Sequence, residues 1–491
     1  MYKRQHVVSA SAGILYNIYK TDFSQNGAAG KMVEYRHMTV NGAVNYAYDD
    51  RYVATFSFAA DGSDNYRPGN RWGFYPSLGL GWIVSRERFL RDSRMVDLLK
   101  LRASVGKNGW DPMGEMRYLW EGYYTGRGGL NTGNSEHTWH GGTALSYLPN
   151  PDVFAEKSLK YDAGIDLRLW NRLSLNVDLF LEKRSGIVTQ DWMIPGASGV
   201  DNPPYRNIGR MTNKGFEVQL SWADRIGDFN YALTGMASYN SNKVDYMAEV
   251  VTVPTAARTG RRLDALFGYV ADGFYDWDDF DVGGELREGL PKPTFGAVQP
   301  GDIKYKNLNG DTVIDENDQT AIGDSYLPKL QYSFSLAASY KGFDLFALFQ
   351  GAAGRDVNLL DAPLQNVAFR DNGNVYGIAE GRWAYYPEQG IDTRATATYP
   401  RLSLQDNSNN YRNSTLWKRS GDFLKLRNVE LGYTFAQPSL SKAGISKIRI
   451  YLSGVNLLTV SRLMRDYDID PEILSGHPAL KSYNLGLTVT F

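Results

Sequence analysis

Ser482-Tyr483-Asn484-Leu485-Gly486-Leu487-Thr488-Val489-Thr490-Phe491 is the stretch on which the fold turns. Tyr483, Leu485, Leu487, Val489 and Phe491 are apolar or aromatic, and the residues between them are small and polar. A strict period of two marks a β-strand with one apolar and one polar face. The edge strand of a soluble sandwich alternates in the same way but rarely ends on Phe. In an outer-membrane barrel the apolar positions face lipid, the polar ones face the lumen, and aromatic residues collect at the interfaces.

The pattern recurs. Ala163, Ile165, Leu167 and Leu169 alternate with Asp162, Gly164, Asp166 and Arg168. A tight turn at Trp170-Asn171 leads into Leu173, Leu175, Val177, Leu179 and Leu181, which alternate with Ser174, Asn176, Asp178, Phe180 and Glu182. Phe216, Val218, Leu220 and Trp222 form another such run. Tyr332, Phe334, Leu336, Ala338 and Tyr340 turn at Lys341-Gly342 into Phe343, Leu345, Ala347 and Phe349. Runs of ten residues exceed the ~5–6 of globular strands and match the ~9–11 of a membrane strand.

Connections between the runs alternate in length. Short turns fall near 49–50, 87–96, 170–171, 223–228, 341–342 and 437–444. Long ones fall at 21–34, 61–71, 109–156, 186–205, 243–324, 357–415 and 459–478. An all-β, antiparallel transmembrane barrel has this organisation, with short periplasmic turns and long extracellular loops. Parity places the strand-like stretch 262–275 inside a long outer loop, because counting it as a spanning strand would put the Trp170-Asn171 turn on the long-loop side. About 14 spanning strands remain, an even number as single-chain barrels require.

Composition agrees. The 491 residues carry 53 Lys and Arg against 54 Asp and Glu, a formal charge of −1, which lacks the basic footprint of a nucleic-acid partner. The absence of cysteine removes disulfides, thiolate zinc sites and cysteine nucleophiles. Aromatics make up 13% and glycine numbers 50, while mean hydropathy is only −0.40, an unusual mixture for a soluble α/β enzyme. No apolar run approaches the ~18 residues of a membrane helix.

Met1-Tyr2-Lys3-Arg4-Gln5 has no apolar core and no signal-peptide character. GTG-TAT-AAG-AGA-CAG, which looks like the end of a transposon sequencing adapter, translates to these five residues when GTG is read as a start. Residues 1–5 are therefore expected to be a non-native or disordered start, with the natural segment running over 6–491.

Taken together, the motifs resemble the SusC/RagA-like TonB-dependent outer-membrane transporters of Bacteroidetes-type bacteria. The resemblance is carried by Asn45-Tyr46-Ala47-Tyr48-Asp49-Asp50-Arg51-Tyr52, Asp61-Gly62-Ser63, Asn70-Arg71-Trp72-Gly73-Phe74-Tyr75-Pro76-Ser77 and Leu99-Lys100-Leu101-Arg102-Ala103-Ser104. It continues through Asn213-Lys214-Gly215-Phe216-Glu217, Pro300-Gly301-Asp302-Ile303-Lys304-Tyr305, the run Gly421 to Tyr433, Ser453-Gly454-Val455-Asn456-Leu457-Leu458-Thr459 and the closing strand. Each match is weak; their order and spacing over nearly the whole chain make the resemblance. It implies a barrel of about 22 strands with a plug, so about 14 strands expect an incomplete, N-terminally truncated barrel without plug or TonB-contacting segment. It further implies energy-coupled import of oligosaccharide or peptide, a SusD-like lipoprotein cap, coupling to the TonB complex, and a last strand read by the outer-membrane barrel assembly machinery. Tyr483, Leu487, Val489 and Phe491 are the side chains expected to form that assembly signal.

The residues themselves offer further candidates. Trp110, Tyr118, Trp120, Tyr123, Tyr124 and Trp139 in one loop, and Trp383, Tyr385 and Tyr386 in another, could stack on sugar faces; equally they could build loop cores, a partner interface or the interfacial girdle. Of these, Trp110, Trp120, Tyr123, Tyr124, Trp139, Trp383, Tyr385 and Tyr386 are the ligand-binding candidates. Asn307, Asn309, Asp311, Val313 through its carbonyl, Asp315 and Asp318 occupy positions 1, 3, 5, 7, 9 and 12 of an EF-hand-like calcium loop. Position 1 is Asn, position 6 is Thr312 rather than Gly, and the short Asp318 arm makes bidentate binding harder. An Asn/Asp-rich turn without Ca2+ is the competing reading.

Enzyme chemistry finds no support. No glycine-rich phosphate loop follows a strand. Of His6, His37, His137, His140 and His477, only His137 and His140 have a metal-like spacing, and no carboxylate or thiol pattern joins them. Asp278-Asp279 is an ordinary loop pair. The alternative function class is a non-transport β-rich adhesin or glycan-binding protein on a solenoid or sandwich, which would stay dispersed without detergent.

Overall fold

The fold was obtained as a computed structural model describing residues 6–23, 31–111, 118–122, 124–132, 138–145, 147–198, 200, 202–251, 253–361, 367–369, 374–404, 407–435, 444–477 and 479–491. Period-two alternation becomes one antiparallel sheet of 14 strands. They are β1 (His6–Phe23), β2 (Lys31–Tyr48), β3 (Tyr52–Ser63), β4 (Trp72–Ile83), β5 (Val96–Trp110), β6 (Glu156–Leu169) and β7 (Leu173–Gln190). The second half is β8 (Tyr205–Ile226), β9 (Phe229–Tyr246), β10 (Leu330–Tyr340), β11 (Phe343–Ala353), β12 (Phe423–Phe435), β13 (Lys447–Ser461) and β14 (Ser482–Thr490). Strand order follows sequence order without a crossover, and among the described residues it begins at β1 and ends at β14.

The expected strand number and the alternation of short and long connections both hold. Three short turns use consecutive residues with positive φ: Asp49 and Asp50, Trp170 and Asn171, Lys341 and Gly342. Two such residues give the twist that antiparallel strands need across a tight hairpin. Several boundaries differ from the sequence reading, among them β7, which runs to Gln190, and β12, which begins only at Phe423; two cases share a cause. Strand β8 runs on to Ile226, so its turn shrinks to Gly227-Asp228. Strands β1 and β2 extend to Phe23 and from Lys31, into the range read as a long connection. In both places backbone pairing continues past the point where the apolar alternation stops. Residues 1–5 and most of the 437–444 turn lie outside the described residues.

The chain parts into two compact units. The first comprises 1–171, 175–216 and 242–250; the second comprises 172–174, 217–241 and 251–491. In the first, the long connections gather over a small core of Tyr66, Leu119, Tyr147, Val153 and Val188. In the second, a larger core contains Tyr269, Ile303, Tyr305, Ile314, Tyr399, Trp417 and Leu463, drawn from the connections 247–329, 354–422 and 462–481. The stretch 262–275 indeed lies outside the main sheet. Its Leu266–Gly268 pairs with Thr320–Gly323, and Ala271–Phe274 pairs with Ile303–Tyr305.

Except for Val188, near the end of β7, these buried residues belong to the loops, while the sheet strands keep large apolar side chains exposed. Leu431, Leu452 and Leu485 lie side by side on β12, β13 and β14 and are 53%, 55% and 79% exposed. Leu80, Ile165 and Leu179 are exposed in the same way in the first unit. An apolar sheet face left open to this extent needs a non-aqueous neighbour. Among the described residues no helix is long and apolar enough to cross a membrane, which leaves crossing by strands untouched.

Candidate functional site

The opposite, polar face is organised by charge. In the first unit Arg102 on β5 reaches across β6. Its Nη2 donates to Asp178 Oδ2 on β7 at 2.6 Å, and its Nε donates to Asp166 Oδ1 at 3.4 Å. Asp162 stands 3.7 Å away, and Lys100 pairs with Asp166 at 3.6 Å. Gly164 lies under the guanidinium; a Cβ there would sit 2.6 Å from Arg102 Cζ. The second unit repeats the device. Arg449 on β13 bonds Asp344 on β11, with Nε to Oδ1 at 3.1 Å, and bonds Glu430 on β12 at 2.6 Å. Gly432 is the open floor there, with a Cβ placed 2.6 Å from Arg449 Nη2. Each Arg therefore staples three strands on a face where its carboxylate partners stay partly hydrated.

Above the first unit's strands, Asp111 accepts from Ser63 Oγ at 2.6 Å, Asn65 Nδ2 at 3.0 Å and Tyr66 OH at 2.8 Å. Burial, and then the neighbouring Asp111 charge, push the Tyr66 hydroxyl far up, so Tyr66 stays a neutral donor. In the second unit Asp302 is fully buried. It accepts from Gln299 N at 2.8 Å, Asn407 Nδ2 at 3.0 Å and Asn410 Nδ2 at 2.9 Å, and pairs with Arg401 at 2.7 Å. This links the 247–329 and 354–422 connections through one carboxylate.

The aromatic candidates separate. Trp110 ends β5 in register with Arg102 on the polar face and is exposed. Tyr124 and Trp139 are exposed on the hairpin Tyr124–Thr132/Thr138–Leu145, but at opposite ends, since Tyr124 pairs with Leu145 and Trp139 with Asn131. Trp120 is half-buried, and its indole N–H finds no acceptor among the described residues. Trp383 is only 8% exposed and packs against Gly301, whose hypothetical Cβ would lie 2.5 Å from Trp383 Cε3. It works as a packing residue. Arg394 covers one face of Tyr385, its Cζ 3.9 Å from the ring centroid, while Tyr386 is exposed. Tyr123 and His137 lie outside the described residues; His140 Nε2 lies 2.9 Å from Thr132 Oγ1.

The 307–318 loop forms a turn capped by its own side chains. Asn307 Oδ1 accepts from Gly310 N at 2.6 Å, Asn309 Oδ1 from Asp311 N at 3.0 Å, and Asp311 Oδ1 from Val313 N at 2.9 Å. Asp315 Oδ1 accepts from Asn317 N at 2.8 Å. The fully buried Asp318 accepts from Leu308 N at 2.7 Å and Asp315 N at 2.9 Å. Among the described residues no group of three or more His, Asp or Glu side chains is arranged to hold a metal ion. Asn309 Nδ2 donates to Asp311 Oδ2 at 2.7 Å, and carboxylate and amide oxygens carry a second lone pair beyond the bonds they already accept.

Tyr483, Leu487 and Phe491 are exposed, and Leu487 and Val489 pair with Ile450 and Ile448 of β13.

The family model described as "TonB dependent receptor-like, beta-barrel" matches residues 8–457. The chain belongs to that family. TonB-dependent receptor P26 of Formosa agariphila is 29% identical over 97% of this chain and 48% of the relative. TonB-dependent receptor SusC of Bacteroides thetaiotaomicron is 26% identical over 92% of this chain and 43% of the relative. The receptor barrel thus spans about half the length of the curated relatives it matches. The RagAB peptide importer in its open-open state superposes with a TM-score of 0.71 at 20% identity, covering 100% of this chain and 53% of that chain, which supports the fold. Membership places the receptor barrel in the outer membrane of a bacterium, so its apolar face meets lipid and its polar face lines the lumen.

Alternation places Asp166, Asp178 and Glu182 on the lumenal side but does not name the partners of the staples, Arg102 for Asp166 and Asp178 and Arg449 for Asp344 and Glu430. Arg102 and Arg449 carry the signal: each is a charge at a polar-face position of an otherwise apolar-alternating strand. Asp302 sits in the quoted Pro300-Gly301-Asp302 motif, but nothing local says that Asn407 and Asn410 will reach it.

Proposed function

We propose that the full protein imports a large polar nutrient across the outer membrane, with this chain supplying barrel wall and outer loops. Oligosaccharide is the favoured class. Peptide is the second, because RagAB is described as a peptide importer. TonB supplies the energy and a SusD-like surface lipoprotein caps the barrel. The barrel assembly machinery inserts it by reading Tyr483, Leu487, Val489 and Phe491. The observation that carries the reading is the family match over 8–457 on a sheet with an open apolar face and a lumenal face lined by Arg–carboxylate staples. The exposed rings of Trp110, Tyr124, Trp139 and Tyr386 offer sugar-stacking faces.

The test expresses the full-length gene with its neighbouring lipoprotein and follows labelled oligosaccharide and peptide pools into cells with and without TonB. Uptake that disappears without TonB supports import. Surface binding that is indifferent to TonB supports the adhesin reading instead.

The same reading keeps a structural calcium ion at 307–318. Calorimetric titration of the full-length protein, with Asp311→Ala as control, should show one site lost in the variant; no heat in the wild type refutes it.

A further inference from the structure

Lys425 stands on the polar face of β12, opposite Gln350 of β11 and Thr459 of β13. Its side chain is completely covered. An ammonium group in that position is tolerable only if paired. Nζ donates to both Asp470 oxygens, at 2.8 and 3.0 Å, and to Glu472 Oε2 at 2.7 Å. Arg427 takes the other Glu472 oxygen and donates from Nε to Gln350 Oε1 at 2.9 Å. Two cations of the strand thus meet two anions of the connection 462–481.

That connection is built to present them. Ser461 Oγ caps the helical turn Arg462–Tyr467, accepting from Met464 N at 2.9 Å, and Leu463 is buried in the loop core. Asp468 ends the turn with φ +59°. Asp470 Oδ1 then accepts from Glu472 N at 2.9 Å, across Pro471, which helps turn both carboxylates toward the strand. The segment also grips its neighbours. Arg419 of the 354–422 connection donates to Tyr467 OH at 2.7 Å. Tyr326 of the 247–329 connection donates to Glu472 O at 3.3 Å, and its ring lies 4.3 Å from the Arg355 guanidinium carbon.

We propose that residues 462–481 form a charge-clasped strap, in which Asp470 and Glu472 lock onto Lys425 and Arg427 and thereby hold the three long connections of this unit as one cooperative body. Breaking the clasp frees all three connections. The strap is a conformational device of the outer loops and is independent of what the transporter carries.

Hydrogen-exchange mass spectrometry on the full-length protein in lipid nanodiscs tests it. Lys425→Met should raise exchange at least tenfold in 462–481 and also in 298–305 and 407–417, which carry core residues and do not bond the clasp, while β10 and β11 keep their protection. A rise confined to 462–481 overturns the proposal. Where Lys425→Met gives no folded barrel, Glu472→Gln decides by the same readout, because it keeps the shape and removes one partly exposed charge. Raising salt to 1 M should leave wild-type exchange unchanged, since Lys425 is shielded from counterions; a salt-induced rise in these segments overturns the buried clasp.

Discussion

Replacing Leu452 by Arg tests the lipid face where the structure is least ambiguous. Leu452 is flanked in register by Leu431 and Leu485, and all three are more than half exposed. It lies five residues into β13, about 16 Å along the strand at a rise of ~3.3 Å per residue. A tilt of roughly 40° projects this to about 12 Å, the middle of an apolar band about 25 Å tall. An Arg at that depth should cost about 2–4 kcal/mol. The neighbouring Ser453 points to the lumenal face beside Glu430 and Asn484, where an Arg meets water and a carboxylate, so Ser453→Arg should cost less than about 1 kcal/mol. The assay is reversible urea unfolding of the full-length barrel in lipid vesicles, followed by tryptophan fluorescence. Equal penalties for the two variants, or a larger one for Ser453→Arg, would refute the assignment of faces.

Three further outcomes follow from the same geometry. Deleting Phe491 should reduce the heat-modifiable folded band in outer-membrane fractions more than it lowers the stability of barrel already inserted, because one interfacial ring contributes at most roughly 3 kcal/mol; equal membrane yield would leave Phe491 an ordinary girdle aromatic. Asp302→Ala should loosen both connections it joins and expose 298–305 and 407–417 to limited proteolysis, at a cost of about 1–3 kcal/mol for leaving the Asn407 and Asn410 amides without their acceptor, while Arg401 keeps partial access to water; unchanged cleavage would deny the anchor its role. Burial pushes the Glu472 carboxyl up, but hydrogen bonds from Arg427 and Lys425 outweigh this and hold it below the usual carboxylate range. A depressed folded pKa means its stabilisation is complete above the unperturbed value of 4.5 and is lost as pH falls through the folded pKa. Exchange protection of 462–481 should therefore be flat from pH 7 to 5 and fall only below the ordinary Glu range; a loss centred near pH 6 would point to another group.

The legibility of the fold rests on a periodicity that neighbours cannot disguise. At Leu173 to Leu181 and Tyr483 to Phe491, lipid on one side and a hydrated lumen on the other force opposite side-chain chemistry at every second residue. Positive φ at Trp170-Asn171 and Lys341-Gly342 follows from the tight connections those alternating runs require. The loops obey no such rule. Trp383 and Tyr386 are separated by two residues and have the same apparent promise in sequence, yet one is buried under Gly301 and the other is exposed. Only the path of the connecting chain decides which.

The sequence by itself therefore determined the number of strands, their faces, the parity of the connections and the transporter family, because each of these is a local or periodic property of the chain. The tertiary structure alone decided which charged and polar groups meet. Arg102 finds Asp178 across 76 residues, Asp302 finds Asn410 across 108, and Lys425 finds Asp470 across 45. Such pairs are fixed by strand register and loop packing, where burial makes an unpaired charge too costly to keep, and no spacing along the chain encodes them.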